Sequence, residues 1–84
     1  MDIQDRVDEA LKCNETLSES ERYELVNLMK GMAFDVRFAQ GDEIISDHAT
    51  RLTAIIGFLQ QSERISEDEE EELQMIVNGI EVGR

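Results

Sequence analysis

The chain has 84 residues, of which 8 are basic and 20 acidic, giving a formal charge of −12; 40% of the residues are apolar, and Trp and Pro are absent. That length predicts one small domain, and the apolar share argues for a packed core rather than a disordered acidic tail. So acidic a chain repels phosphate backbones, which argues against direct nucleic-acid binding, and no apolar run reaches the roughly 18 residues that span a bilayer.

Taken in chain order, the first element is an apolar stripe of Ile3, Val7, Ala10 and Leu11 opposite Asp2, Asp5, Asp8 and Glu9, a short amphipathic helix ending around Asn14. Cys13, the single cysteine, has no partner for an internal disulfide and reads as a small packing residue. With no basic and then apolar leader pattern at the N-terminus, the expected location is the reducing cytoplasm.

Ser18 and Glu21 have capping-box spacing and open the first long helix. Leu25, Met29, Met32, Val36 and Ala39 follow at steps of four, three, four and three, one apolar seam along a helix. Gly31 falls inside this segment without shifting the seam's phase, so one helix is predicted from about Ser18 to Gln40. Gly41 suits a left-handed helix C-cap, and Asp42 is placed to cap the next helix. Ile45, Ala49, Leu52, Ile56 and Leu59 repeat the same rhythm, with Gly57 inside it. Close approach of another backbone would offset the roughly 0.5–1 kcal/mol that each helical glycine costs. The two seams predict an antiparallel helical hairpin.

A second capping-box pair, Ser66 and Glu69, starts a final helix with Leu73, Ile76, Val77 and Ile80 on its apolar side and fraying at Asn78 and Gly79. The predicted fold class is therefore all-α: a small bundle around a central antiparallel helical hairpin, with shorter helices at either end.

Catalytic and metal signatures are weak. His48 and Cys13 stand alone of their kinds, whereas a zinc site needs several closely spaced ligands. Ser46, Asp47 and His48 hold the residue types of a hydrolytic triad, but triad groups converge from separate parts of a fold, so His48 reads as a helix-surface residue. No glycine loop suited to phosphate is present, and no cofactor, metal or enzymatic activity is expected.

Two features point instead to binding. The first is apolar side chains beside or behind the seams: Tyr23, Val26, Leu28, Phe34 and Phe38 on one helix, Ile44, Ile55 and Phe58 on the next. Either the flanking helices cover them or they form an interaction ridge. Phe34 and Phe38, four apart, make one aromatic ridge, with Asp35 and Arg37 placed to orient a protein partner. The second is the run Glu67, Asp68, Glu69, Glu70, Glu71 and Glu72, read either as an acid-rich first helical turn or as a patch for a basic partner. It lacks the alternating ligands and central glycine of a calcium loop.

Wide apolar faces on so short a chain favour association, either as a homodimer or with another protein. The leading expectation is a non-enzymatic regulator that binds and inhibits a protein partner with a basic surface, a transcriptional activator being one such target by analogy. The main alternative is a nucleic-acid mimic inhibiting a restriction, defence or repair protein. Residues 41–84, with 3 bases against 11 acids, are more acidic than residues 1–40, with 5 against 9. A third reading is a structural subunit or chaperone of a helical assembly.

Overall fold

The computed structural model describes residues 2–38 and 41–82. Among the described residues four helices follow one another: α1 (Ile3–Ala10), α2 (Glu19–Arg37), α3 (Asp42–Gln61) and α4 (Glu67–Val82). No strand occurs among the described residues, and the all-α class is as the sequence predicts. The Cα radius of gyration is 12.3 Å, about the value expected for a compact chain of this length.

Helix starts follow the local chemistry. The Asp2 carboxylate accepts from the Asp5 N–H at 2.9 Å and caps α1. Ser18 Oγ accepts from the Glu21 N–H at 3.2 Å while Glu21 accepts from the Ser18 N–H at 3.0 Å, the reciprocal pair predicted for α2. Ser66 and Glu69 exchange the same pair of bonds at 2.9 and 3.1 Å.

Helix ends depart from expectation in several places. α1 stops at Ala10 rather than near Asn14. α2 runs through Gly31 without a break and ends at Arg37, with Phe38 as its C-cap; the predicted Ala39 and Gln40 lie outside the described residues. Gly41 is not a left-handed cap: at φ −57° and ψ 147° it is the N-cap of α3, and Asp42 is the first helical residue rather than the cap. α4 continues through Asn78 and Gly79 to Val82, because the apolar face carried by Ile76, Val77 and Ile80 keeps packing. Among the described residues the left-handed conformation falls at Glu63, at φ 60°. Around it the Arg64 N–H bonds to the Leu59 carbonyl at 2.8 Å and the Glu63 N–H to the Gln60 carbonyl at 3.0 Å, the Schellman pattern that closes α3.

The core draws on every helix. Val7 and Leu11, then Leu25, Val26, Met29 and Met32, then Ile45, Leu52, Ile56 and Leu59, then Leu73, Ile76 and Val77 are all buried. Each predicted seam thus turns inward, with Val36 and Ala49 partly buried at its margins. Leu17 and Ile65, from the connections, complete the cluster.

Helix α4 packs against α1, α2 and α3, whereas α1 and α3 do not meet; the α3–α4 pairing is the most extensive. Neither interior glycine is explained by an approaching backbone. A Cβ at Gly31 would have nothing within 4 Å, and one at Gly57 would meet only Glu70 Oε2 at 3.9 Å.

Candidate interaction surface

Helix α2 carries the candidate ridge because its apolar residues exceed what one buried seam can use. Leu25, Met29 and Met32 point inward, leaving Phe34 and Phe38 on the outer side, each 57% exposed. Their ring centroids are 4.5 Å apart with the planes tilted by 37°, so the two rings present one continuous apolar surface. The Arg37 guanidinium sits 5.8 Å from the Phe38 ring centroid, within cation–π range.

Flanking helices leave Tyr23 on α2 and Ile44 and Phe58 on α3 exposed, while Val26 is buried and Leu28 and Ile55 are half-buried. Met75 is exposed on α4.

Asp35 has a different setting from its neighbours on the ridge. Its Oδ2 lies 2.8 Å from Nδ1 of His48, joining the C-terminal half of α2 to the N-terminal half of α3. Both atoms are shielded from solvent, and neither has a second partner or an aligned hydrogen bond; the contact is one of proximity. A carboxylate so placed orients the helix pair more directly than it orients an outside ligand. His48 is correspondingly half-buried rather than a plain surface residue. Sequence offers no signal for this pair, because Asp35 and His48 meet only once two helices are aligned.

The acidic run divides by role. Glu69 is held by the capping box and by Asn14, whose amide donates to Glu69 Oε1 at 3.0 Å. Glu70 is half-buried, with its Oε2 towards Gly57. Glu67, Asp68, Glu71 and Glu72 are exposed. Burial pushes the Glu69 carboxyl up, but hydrogen bonds from the Ser66 N–H, the Asn14 amide and the Ser66 hydroxyl, with the nearby Arg22 charge, outweigh it and the net shift is downward.

Asn14 and two arginines form a polar cluster at the end of the bundle where α2 and α4 begin. Asn14 Nδ2 also donates to the Arg64 carbonyl at 3.0 Å, and Asn14 Oδ1 accepts from the Thr16 and Leu17 N–H groups at 3.0 and 2.8 Å. Arg22 donates to the Leu11 and Asn14 carbonyls at 3.0 and 2.8 Å. Arg64 donates to the Thr16 carbonyl at 3.2 Å and pairs with the Glu21 carboxylate. The Glu21 carboxyl is lowered, first by the Ser18 N–H. The two capping boxes are thereby tied to opposite sides of one network.

Cys13 is exposed beside this cluster, not packed as its type suggests, because α1 ends before reaching it. Among the described residues no group of three His, Cys, Asp or Glu side chains could hold a metal ion, and no helix is long and apolar enough to cross a membrane. Comparison with protein-family models, curated proteins and solved structures finds no match to the chain.

Proposed function

We propose that the chain is a non-enzymatic regulator that binds a protein and blocks its activity through α2. In this reading α2 and α3 form an antiparallel helical hairpin that presents Phe34 and Phe38 as the apolar anchor, with Arg37 beside them selecting the partner's polar rim. The observation that supports it is the tilted, solvent-exposed Phe34–Phe38 ring pair on a helix whose inner seam is already filled. Exposed aromatics and arginine are the residue types that dominate binding energy at protein interfaces. Asp35 contributes indirectly, holding α2 against α3 through His48. The net charge of −12 steers basic surfaces toward the chain, which suits a transcriptional activator whose DNA-contact surface is basic.

Affinity capture from the native cell extract at low and high salt, followed by mass spectrometry, tests the proposal. Wild-type protein is expected to retain one partner at high salt, and the Phe34→Ala, Phe38→Ala double variant to lose it with helicity unchanged. Retention by the double variant rejects the aromatic anchor.

A second reading is favoured by Glu67, Asp68, Glu71 and Glu72, which are exposed. As a phosphate mimic they would occupy the basic channel of a nucleic-acid enzyme. Capture that survives loss of both phenylalanines but is released by salt supports this alternative.

A further inference from the structure

The outer face of α2 differs from the rest of this acidic molecule. Tyr23, Asn27, Lys30, Phe34, Arg37 and Phe38 recur at helical spacing along it, and all six are exposed. Lys30 and Arg37 have no carboxylate partner among the described residues. Carboxylates gather at the opposite end of the stripe. There an open hollow is lined by Asp8 of α1 together with Glu19, Tyr23 and Leu17. Arg22 also reaches this hollow, but its guanidinium donates to the Leu11 and Asn14 carbonyls.

The face is therefore basic and aromatic at one end, acidic and aromatic at the other. Turned end for end about a point between Leu28 and Met29, it complements itself. Tyr23 then stands opposite Phe34 of a second copy, Asn27 opposite Lys30, and Glu19 opposite Phe38 with Arg37 one step away. We propose that a second copy of this chain docks on α2, the two helices antiparallel across a two-fold axis. The basic Arg37 of each copy enters the Asp8–Glu19 hollow of the other, and the Phe34–Phe38 rings lie against Tyr23.

Three physical points support this occupant. An isologous contact needs a surface that matches its own reverse, which this stripe does in both charge and ring position. Antiparallel α2 helices also set opposite macrodipole ends side by side. Repulsion between two bodies of charge −12 is long-range and largely screened at physiological salt, whereas the Arg37 contacts are local. Such a dimer goes beyond the partner-binding reading and does not depend on it. Both use Phe34 and Phe38, so a dimer holds the ridge covered until a partner displaces the second copy.

Sedimentation equilibrium of the purified chain over a wide concentration range at physiological salt, with circular dichroism as the folding control, tests the dimer. Wild-type protein is expected to dimerise. Arg37→Glu and Glu19→Arg are each expected to weaken self-association by at least about tenfold, since each sets like charges together twice across the axis. The double variant Glu19→Arg, Arg37→Glu restores the 19–37 pairing with signs reversed, Asp8 staying acidic, and is expected to recover part of the lost affinity. A wild-type chain that stays monomeric at the highest concentration overturns the proposal. So does a helical Arg37→Glu variant that dimerises like wild type, or a helical double variant that does not recover. Self-association is read on the purified chain and partner capture in extract, so the two readings fail separately.

Discussion

Asn14 and Glu69, fifty-five positions apart, share a 3.0 Å hydrogen bond that fastens the turn after α1 to the first turn of α4. The same Asn14 side chain makes three further bonds, so one half-buried amide organises the connection into α2 as well. Asn14→Ala leaves the Ser66–Glu69 box without this tie and strands the Leu17 N–H. We expect a loss of about 2 kcal/mol, read as a fall in Tm of roughly 8–16 °C for a domain of this size. Asn14→Asp keeps the acceptor but sets a carboxylate against Glu69, and should be destabilised too. Unchanged melting of the alanine variant would remove the amide from any organising role.

The lowered carboxyls of Glu21 and Glu69 make part of the stability pH-dependent. A group whose folded value lies below its ordinary 4.5 stabilises the fold fully above that value and progressively less as pH falls through the folded one. Relief of self-repulsion among the other acids acts in the opposite sense over the same range. The double variant Glu21→Gln, Glu69→Gln separates the two, since glutamine still accepts in a capping box. Wild type should be the more stable above pH 4.5, with the difference shrinking as pH drops below it. A stability gap that widens in acid would mean that these two carboxylates are not favoured by the fold.

Glu63 holds a left-handed conformation that glycine adopts without strain. Glu63→Gly keeps both closing bonds of the Schellman turn and should raise stability by about 1 kcal/mol in chemical denaturation. Loss of stability would mean that the Glu63 side chain itself supports the α3–α4 connection.

Core and ridge should respond oppositely. Leu73 is fully buried where α4 meets the core, and Leu73→Ala is expected to cost about 3 kcal/mol. Phe34→Ala, on the exposed side of α2, is expected to change stability by less than about 1 kcal/mol. Urea melts of the two variants check the contrast. Comparable losses would place Phe34 in the fold rather than on its surface.

Much of this architecture is legible locally. Ser18 with Glu21 and Ser66 with Glu69 read as helix starts because a capping box involves only four consecutive residues. The two seams are legible because helical periodicity survives the interior glycines. What escapes the sequence is non-local. Arg22 and Arg64 look like ordinary surface charges, yet both are spent on backbone carbonyls of distant connections. Asp35 looks free beside Phe34 until α3 brings His48 to it. Gly41 suggests a left-handed cap by its residue type, while the chain places that conformation at Glu63, where Schellman geometry closes α3 without a glycine. The Phe34–Phe38 ridge is legible as a spacing; its exposure depends on which faces α1 and α4 cover.

The position of α4 carries a consequence for the chain as it is made. Like α2 it touches all three other helices, and it follows them in sequence. Without α4, Leu25, Met29, Ile56 and their neighbours lack the cover that Leu73, Ile76 and Val77 provide in the shared core. A product that stops short of α4 therefore exposes its core and is prone to aggregate, rather than being a weaker version of the same molecule.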